Sequence, residues 1–514
     1  MRSRNIIKNV KVNFIFFFIT MFFNFISRTI FIQCLGTNIT GYNTLVQNLL
    51  SFLNIVELGV GTAISYALYK PLNNKNIKKI NEIMILLRYY YYRIGILIFI
   101  FGIGISFLLK FLIKDQIPLT NGLVYYYMFL VNSVISYFLI YKQTLIIADQ
   151  KQYVVTIINN ISKIIKTIFQ IIALLIYKNY FLWILLEVGF NIISLILNNI
   201  KIKKTYPVIN LKSEKSITLI KNENKSILKM IKDVFFHKVS TFIVYQTDGI
   251  LISTFSTLTQ TAIYSNYMMI INNITKLVDS VLGAMAPSIG NLIAENEDSK
   301  SLETFKKLYL LDNIIATYLC CVIYYVIDSF ISIWVGADLK FSNNIIILLL
   351  INLYIQISRG SIIRFKQGYG LFWDIWAPVI EGGINLGFSI MLANKIGISG
   401  IFIGTLISNI VIVLIWQPYM LYKYGFKTDV LKFFRYYITI IVRGVIGIII
   451  SDFIINYMNS IINFKESFSG VVLLGCMVSI ILLFTIFIVF IFTRDFRELV
   501  KYIFTRFKGS RRYA

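Results

Sequence analysis

Apolar segments alternate with short polar segments along almost the whole chain, from Val12 to Phe492. Each apolar segment is long enough to cross the hydrocarbon core of a bilayer as an α-helix, which takes about 20 residues. The pattern predicts about 14 membrane helices, at residues 12–33, 43–67, 88–110, 121–141, 153–176, 181–200, 234–255, 263–293, 308–335, 343–365, 373–393, 398–421, 435–458 and 470–492. The predicted fold class is therefore all-α, in the form of a polytopic membrane protein.

Lysine and arginine residues crowd onto alternate loops of this pattern, above all the linker 201–232, the loop 423–435 and the tail 494–512. The opposite loops hold little more than Lys110, Lys114, Lys178, Lys340, Lys395 and Lys465. Cytoplasmic loops of membrane proteins collect basic residues. Both termini are therefore predicted to be cytoplasmic. The first apolar segment is too long for the core of a signal peptide and is predicted to be a retained helix.

The composition supports a membrane protein. Hydrophobic residues make up 57% of the chain and charged residues 14%, and the mean hydropathy is +0.74, so an ordinary soluble enzyme is excluded. The formal net charge is +26, but the basic loops are expected to face anionic lipid headgroups. Membrane lipid is thus the expected partner, and nucleic acid is not. The four cysteines have no metal-binding or disulfide spacing, and no metal or cofactor is expected.

Helices 2 and 8 of the predicted set indicate an internal repeat. Three pairs of residues correspond at an offset of about 222 residues: Tyr42 with Tyr264, Glu57 with Asp279, and Gly61 with Gly283. The repeat predicts two pseudo-symmetric six-helix lobes that enter the membrane in the same direction and enclose a central cavity. The predicted divisions are an N-terminal lobe 1–200, a basic cytoplasmic linker 201–233, a C-terminal lobe 234–421, and two additional helices with a basic tail 422–514.

Several predicted helices carry polar residues along one face, at spacings of three and four. A charge at the bilayer centre costs about 2.5–3.5 kcal/mol on insertion scales, so it should face protein or water. The stripes predict a hydrophilic passage, lined by the acids Glu57, Asp248, Asp279 and Glu381 and the cations Arg28, Lys238 and Lys276. Lys276 and Asp279 stand three residues apart and could instead neutralise each other. The alternative for all the stripes is that they only join helices through hydrogen bonds.

Four arginines, Arg88, Arg93, Arg359 and Arg364, lie in the predicted cytoplasmic thirds of helices 3 and 10. One interpretation is a cationic vestibule for an anionic headgroup, because the planar guanidinium binds phosphate oxygens in pairs. In the other, the long side chains extend to the lipid headgroups.

Glycines and prolines give candidate hinges at Gly61, Pro287 and Pro378. Two pairs with GxxxG spacing, 383/387 and 400/404, allow close helix contact. The alternative for all these residues is that they serve packing alone.

Short motifs follow one another along nearly the whole chain in the order seen in a known transporter family. They are Val56-Glu57-Leu58-Gly59-Val60-Gly61, Ala286-Pro287-Ser288-Ile289-Gly290-Asn291, Arg359-Gly360, Pro378-x-x-Glu381-x-x-x-Asn385 and Gly400-x-x-x-Gly404-Thr405. With these motifs the chain resembles the bacterial repeat-unit flippases for O-antigen, capsule and exopolysaccharide (Wzx type). They form the polysaccharide transport branch of the multidrug/oligosaccharidyl-lipid/polysaccharide (MOP) exporter superfamily.

The resemblance implies two six-helix lobes of the multidrug and toxin extruder (MATE) type that work by alternating access. The implied substrate is an undecaprenyl-pyrophosphate-linked oligosaccharide, moved from the inner to the outer leaflet of the bacterial plasma membrane. The resemblance assigns the cations to the pyrophosphate and the acids to coupling with H⁺ or Na⁺. It adds a polysaccharide polymerase and chain-length machinery as expected partners. By motif, it carries over Glu57, Pro287, Arg359 and Glu381 only.

Two other functions stay open. A drug/cation antiporter of the same fold would favour an acid-dominated cavity, whereas this chain mixes acids with Arg28, Lys238 and Lys276. A membrane polysaccharide polymerase or ligase would be expected to present a large outer catalytic loop, and none is predicted. The sequence also lacks a nucleotide-binding motif and a nucleophile motif, so the chain is predicted not to be an enzyme.

Overall fold

The computed structural model describes residues 2–57, 59–113, 116–207, 216–295, 298–374, 376–461 and 467–501. Within these ranges the secondary structure is helical throughout, without a strand. In the same ranges, 12 helices are long and apolar enough to cross a membrane. The prediction of an all-α, multi-pass membrane protein is therefore confirmed.

The difference between 12 helices and the predicted set of about 14 arises at predicted helices 1, 2 and 7. Helix α1 (Arg2–Leu53) contains helix 1 and the first part of helix 2, and it is non-helical at Gly36 (φ 79°, ψ 175°). Its apolar span Lys11–Leu53 has 43 residues. A straight helix of that length would measure about 65 Å, twice the ~30 Å of the hydrocarbon core. The span is therefore compatible with two predicted helices, one on each side of the break at Gly36. Predicted helix 7 is present as Lys225–Phe255, although it is not among the 12.

The chain divides into two compact units, Met1–Ser265 and Asn266–Ala514. The first unit contains the following helices after α1: α2 (Val60–Asn73), α3 (Ile77–Ser106), α4 (Leu109–Ile113), α5 (Leu119–Ile140), α6 (Gln143–Ala148), α7 (Gln152–Tyr177), α8 (Tyr180–Thr205), α9 (Ile217–Glu223), α10 (Lys225–Phe255) and the start of α11 (Leu258–Leu282).

Hydrogen bonds from buried tyrosines and close backbone contacts hold the first unit together. Tyr42 Oη donates to the Gly122 carbonyl oxygen at 2.5 Å, and Tyr126 Oη donates to that of Gly102 at 2.8 Å. A Cβ at Gly41 would lie 1.8 Å from the backbone carbonyl oxygen of Leu258. Lipid is as apolar as leucine, so helix association in a membrane depends on such hydrogen bonds and small-residue contacts.

The second unit contains the rest of α11 and the helices α12 (Ala286–Ala294), α13 (Asp298–Trp334), α14 (Asn343–Ser358), α15 (Gly360–Gly368), α16 (Trp376–Ile396), α17 (Ile398–Ser408), α18 (Gln417–Met420), α19 (Val430–Ile461) and α20 (Phe468–Phe490). Two π-helical segments, Asn409–Trp416 and Leu421–Gly425, flank α18. Buried aromatic rings form the core of the second unit, with Phe305 in contact with Tyr309, Phe365 and Tyr422.

One of the two predicted GxxxG pairs makes a close helix contact. A Cβ at Gly400 of α17 would lie 2.3 Å from the Leu392 carbonyl carbon of α16, and one at Gly404 would lie 2.3 Å from Ser389 Oγ. Gly383 and Gly387, in contrast, have no neighbouring atom within 4 Å of an added Cβ in the described part of the chain. The 400/404 pair therefore permits the α16–α17 packing, and the 383/387 pair does not form such a contact.

Predicted helix 11 carries Glu381, Asn385 and Ser389 at spacings of four, and this polar stripe lies partly in the same interface. Asn385 Nδ2 donates to Thr405 Oγ1 at 2.9 Å, and Ser389 Oγ donates to the Ile401 carbonyl oxygen at 3.0 Å. Both side chains are fully buried. These two residues therefore join helices, which was the alternative interpretation of the stripe.

The predicted divisions 1–200, 201–233, 234–421 and 422–514 stay a prediction. Residues 208–215 of the linker and 502–514 of the tail lie outside the described residues.

Candidate functional site

Predicted helix 2 is broken in the middle, at the motif that contains Glu57. Helix α1 ends at Leu53, a 3₁₀ turn covers Asn54–Glu57, and α2 begins at Val60. Gly59 has φ 102°, a conformation that residues with a Cβ rarely adopt. A Cβ there would also lie 2.8 Å from the backbone nitrogen of Phe235. The prediction of one continuous helix over 43–67 is therefore wrong at the 3₁₀ turn Asn54–Glu57 and at Gly59, because glycine allows the backbone to leave the helical region.

The break presents the Glu57 carboxylate to two tyrosines of neighbouring helices. Tyr91 Oη of α3 donates to Glu57 Oε1 at 2.6 Å, and Tyr137 Oη of α5 lies 3.1 Å from Glu57 Oε2. Tyr137 Oη also lies 2.8 Å from Asn54 Oδ1. A Cβ at Gly61 would lie 3.0 Å from Tyr91 Oη, so the glycine leaves room for the tyrosine beside Glu57.

The Glu57 cluster, which we define as Asn54, Glu57, Tyr91 and Tyr137, has more acceptors than protons. A phenol carries one proton, so Tyr137 can donate either to Asn54 or to Glu57 at one time. The three oxygens Asn54 Oδ1, Glu57 Oε1 and Glu57 Oε2 therefore share the two phenol protons of Tyr91 and Tyr137.

Arg28 is the predicted cavity cation whose contacts are best defined. It lies in the membrane-spanning part of α1 and is half-buried. Its Nη2 donates to the Ala262 carbonyl oxygen at 3.4 Å and to the Ser265 hydroxyl at the start of α11. These contacts hold the guanidinium within a membrane segment, where a charge requires polar surroundings.

The remaining predicted residues of the first unit lie on α3 and α10. Asp248 of α10 is half-buried and within electrostatic reach of Tyr264. Lys238 lies on the same helix, and its side chain is outside the described part of the chain. The Arg93 guanidinium lies over the Tyr89 ring, 4.3 Å from its centroid.

Arg88 belongs to a group of like charges at one end of this unit. It lies within hydrogen-bond reach of Tyr141, which precedes Lys142 in the turn after α5. Burial lowers the pKa of Lys142, and the neighbouring cations Lys203 and Arg88 lower it further. We call Arg88, Lys142 and Lys203 the basic cluster. Grouped cations that disfavour one another's charge would favour an anion beside them. Nothing in the spacing of these three residues along the sequence marks them as neighbours.

In the second unit, Arg364 is bound to an acid that the sequence analysis did not select. Arg364 Nη2 donates to both carboxylate oxygens of Asp312, at 2.7 and 2.8 Å. The backbone nitrogen and hydroxyl of Ser361 donate to Asp312 Oδ2 at 2.5 and 2.6 Å. The side chain of Asp312 is 1% exposed and that of Arg364 is 10% exposed. This buried ion pair joins α13 to α15.

The other predicted charged residues of this unit differ in their enclosure. Glu381 of α16 is buried within electrostatic reach of the half-buried Arg359. Lys276 and Asp279 of α11 are both exposed, and Asp279 is within electrostatic reach of Arg364. Exposed charges within a membrane span must face water or a polar ligand.

The predicted proline hinges fall near helix starts. Pro287 is the second residue of α12, after the 3₁₀ turn Gly283–Met285 that interrupts predicted helix 8, and its side chain is outside the described part of the chain. Pro378 is the third residue of α16. Proline is tolerated at these positions because the first backbone N–H groups of a helix have no intrahelical partner. A hinge function of Gly61, Pro287 and Pro378 stays a prediction.

Comparison with known proteins identifies the fold. No family model matches the sequence, and no curated protein matches it. Among solved structures, the chain is similar to the lipid II flippase MurJ in an inward closed conformation, with TM-score 0.61, 15% identity, and coverage of 92% of this chain and 98% of that one. It is also similar to an inward-facing multidrug resistance MATE family transporter of the MOP superfamily, with TM-score 0.56, 14% identity, and coverage of 77% and 93%.

A third similar structure is a MOP superfamily transporter from Pyrococcus furiosus, with TM-score 0.51, 13% identity, and coverage of 83% of this chain and 97% of that one. At identities this low, the structural similarity establishes the fold and nothing more specific. The chain is therefore a multi-pass membrane protein with the MATE-like fold of the MOP exporters.

Proposed function

We propose that the chain is a flippase that moves a lipid-linked oligosaccharide, carried on undecaprenyl pyrophosphate, from the inner to the outer leaflet of a bacterial plasma membrane by alternating access. The observation that carries the proposal is the guanidinium of Arg28 inside a membrane-spanning helix. The basic cluster Arg88, Lys142 and Lys203 supports it. The similarity of fold to a lipid II flippase over 92% of the chain adds support from another protein.

The charge of the proposed substrate requires polar contacts inside the membrane. A pyrophosphate cannot cross hydrocarbon without polar contacts, and a guanidinium binds its oxygens through paired, charge-assisted hydrogen bonds. The basic cluster would receive the headgroup at the membrane surface, on the side that the sequence predicts to be cytoplasmic. Arg28 would then hold it within the span, while the polyprenyl tail stays in the bilayer.

The Glu57 cluster is the proposed coupling element, with a proton as the coupling ion. Protonation of Glu57 Oε2 removes a charge from the membrane span and completes the hydrogen bonds to Tyr137 and Asn54. A proton can bias transport only if its affinity for this carboxylate differs between the two conformations. The break at Asn54–Gly59 would supply that difference if α2 moves relative to Tyr91 and Tyr137.

A drug/cation antiporter is the second candidate, and the observation that favours it is the exposure of Asp279 within a membrane-spanning helix. An organic cation could bind there. It would have to do so beside the exposed Lys276 and within reach of Arg364, whose charges oppose a cation. The flippase is therefore the function that we propose first.

The test is to locate lipid-linked repeat units in cells depleted of the chain, with a probe that reacts only at the outer face. Wild type should restore outer-face labelling, R28A should not, and R28K should restore part of it. S265A is the matched control, because it removes the hydroxyl that Arg28 contacts and keeps the charge; it should restore labelling. Normal outer-face labelling in depleted cells would contradict the proposal. It would favour the drug/cation antiporter, which drug-efflux assays would then test.

A further inference from the structure

Helices α7 and α8 face each other through polar side chains within the membrane span. Lys166 Nζ lies 2.6 Å from Glu187 Oε1, and Gln170 Nε2 donates to Glu187 Oε2 at 3.1 Å. Further along, Ser194 Oγ and Asn198 Nδ2 donate to Asn159 Oδ1 at 2.9 and 2.7 Å. We call Asn159, Lys166, Gln170, Glu187, Ser194 and Asn198 the α7–α8 seam.

The ion pair of the seam is placed deep in the span and is still accessible. Lys166 is 11 residues from Tyr177, the end of its helix, or about 16 Å at 1.5 Å per residue. The side chains of Lys166 and Glu187 are 15% and 23% exposed. A pair that only joined helices would be expected to be enclosed, as Asp312 is at 1% exposed. Half-buried charges at this depth are expected to turn their accessible part to water or a polar ligand and not to lipid.

Trp183 adds a hydrogen-bond donor that no group in the described ranges of the chain satisfies. It lies four residues before Glu187, on the same face of α8, and is 7% exposed. Its indole Nε1 has no hydrogen-bond partner within the described part of the chain, while its backbone carbonyl oxygen accepts from Gln170 Nε2 at 3.1 Å. A buried donor without an acceptor costs free energy. The Nε1 atom is enclosed, with the ring packed against Phe31 and Tyr180, so a ligand with a hydroxyl or carbonyl oxygen would recover this free energy when the surrounding side chains move.

The charge of the seam indicates which part of a ligand it fits. Lys166 and Glu187 cancel each other, so the pair attracts neither a pyrophosphate nor a cation by net charge. The ammonium keeps protons beyond the one given to Glu187, the carboxylate oxygens keep free lone pairs, and Trp183 offers its N–H. Asn191, between Glu187 and Ser194 on the same face, adds an amide that contacts Asn132 and Ser136 at 2.7 and 2.9 Å.

A row of donors and acceptors without net charge matches groups that both donate and accept, and sugar hydroxyls do both. We propose that the α7–α8 seam, together with Trp183, binds the sugar hydroxyls of the transported lipid-linked oligosaccharide. This assignment rests on the proposed function and gives the molecule separate sites for its two polar parts. Arg28 and the basic cluster bind the pyrophosphate, and the seam recognises the saccharide. Sites that hydrogen-bond a substrate hydroxyl discriminate strongly against analogues without it.

The experiment compares two ligands on the purified full-length chain in detergent. One is undecaprenyl pyrophosphate, and the other is the undecaprenyl-pyrophosphate-linked repeat unit extracted from the cells that produce the chain. Dissociation constants are measured by native mass spectrometry for wild type, E187Q, W183F and R28A. E187Q and W183F should weaken binding of the sugar-bearing lipid by about ten-fold or more and leave undecaprenyl pyrophosphate within two-fold of wild type. R28A should weaken both ligands.

A charge-swapped variant, K166E/E187K, keeps an ion pair between the helices and reverses its donors and acceptors. It should remain folded and lose affinity for the sugar-bearing lipid only. Equal shifts for both ligands in E187Q and W183F, or no shift for either, would overturn the seam assignment while the proposed function stands. If wild type binds neither lipid, the proposed function fails and the seam assignment fails with it.

Discussion

Breaking the buried ion pair between Asp312 and Arg364 should destabilise the second unit strongly. D312A removes the acceptor of four contacts of 2.8 Å or less, two from Arg364 Nη2 and two from Ser361. It leaves a guanidinium that is 90% buried without its counter-charge, since the Arg364 side chain is 10% exposed. Loss of one partner of such a pair costs about 3–5 kcal/mol.

Two further variants separate charge from packing at this position. S361A removes one hydroxyl bond to the carboxylate and should cost about 1.5–3 kcal/mol, the range for hydrogen bonds to charged groups. D312L/R364M replaces the whole pair with apolar side chains of similar size and should be neutral or more stable than wild type, by up to about 4 kcal/mol.

The assay is SDS-induced unfolding of the purified chain in mixed micelles, followed by circular dichroism. An unfolding free energy of D312A within about 1 kcal/mol of wild type would contradict this prediction, and so would a D312L/R364M variant as unstable as D312A. The same double variant also tests the headgroup hypothesis for Arg364. If it is stable and transports normally, Arg364 is a structural residue; if it is stable and inactive, Arg364 contacts the substrate.

Three other predictions concern single positions. E57Q should abolish the dependence of transport on an imposed proton gradient while the chain stays folded. The flipping rate is measured with and without the gradient, and a rate that still follows the gradient would count against a proton on this carboxylate. Y137F removes the O–H between Glu57 and Asn54 and should lower the free energy of unfolding in the SDS titration by about 0.5–1.5 kcal/mol. An unchanged free energy of unfolding would contradict this prediction. G400A introduces a Cβ 2.3 Å from the α16 backbone and should destabilise the chain by about 1–3 kcal/mol. The matched control G383A places its Cβ in open space and should be neutral or up to about 1 kcal/mol more stable. Equal effects of the two variants would refute the contact.

The hydrophobic pattern was sufficient to predict the fold class and the position of the helices, because apolar length is the dominant signal in a membrane protein. The break within predicted helix 2 was not predictable in the same way. Glycine occurs both inside membrane helices and at breaks, and the φ of 102° at Gly59 depends on the approach of α10. Composition alone does not distinguish the two situations.

The partners of the candidate residues were also beyond the sequence. Tyr91 and Tyr137 meet Glu57, but they are two of 33 tyrosines, and nothing in their spacing marks them. Asp312 and Glu187 could have been found, since each is an acid within a predicted apolar span. Asp312 is enclosed and Glu187 is partly exposed. We assign them different functions because of this difference, which depends on tertiary packing.

The most direct test of the account is transport by the purified chain in proteoliposomes. A fluorescent lipid-linked oligosaccharide is incorporated, and a membrane-impermeant reductant bleaches the probe in the outer leaflet. We predict that wild type raises the bleached fraction well above the half reached in empty liposomes, that S265A does the same, and that R28A stays at the level of empty liposomes. Bleaching by wild type that does not exceed that of empty liposomes would contradict the assignment as a flippase.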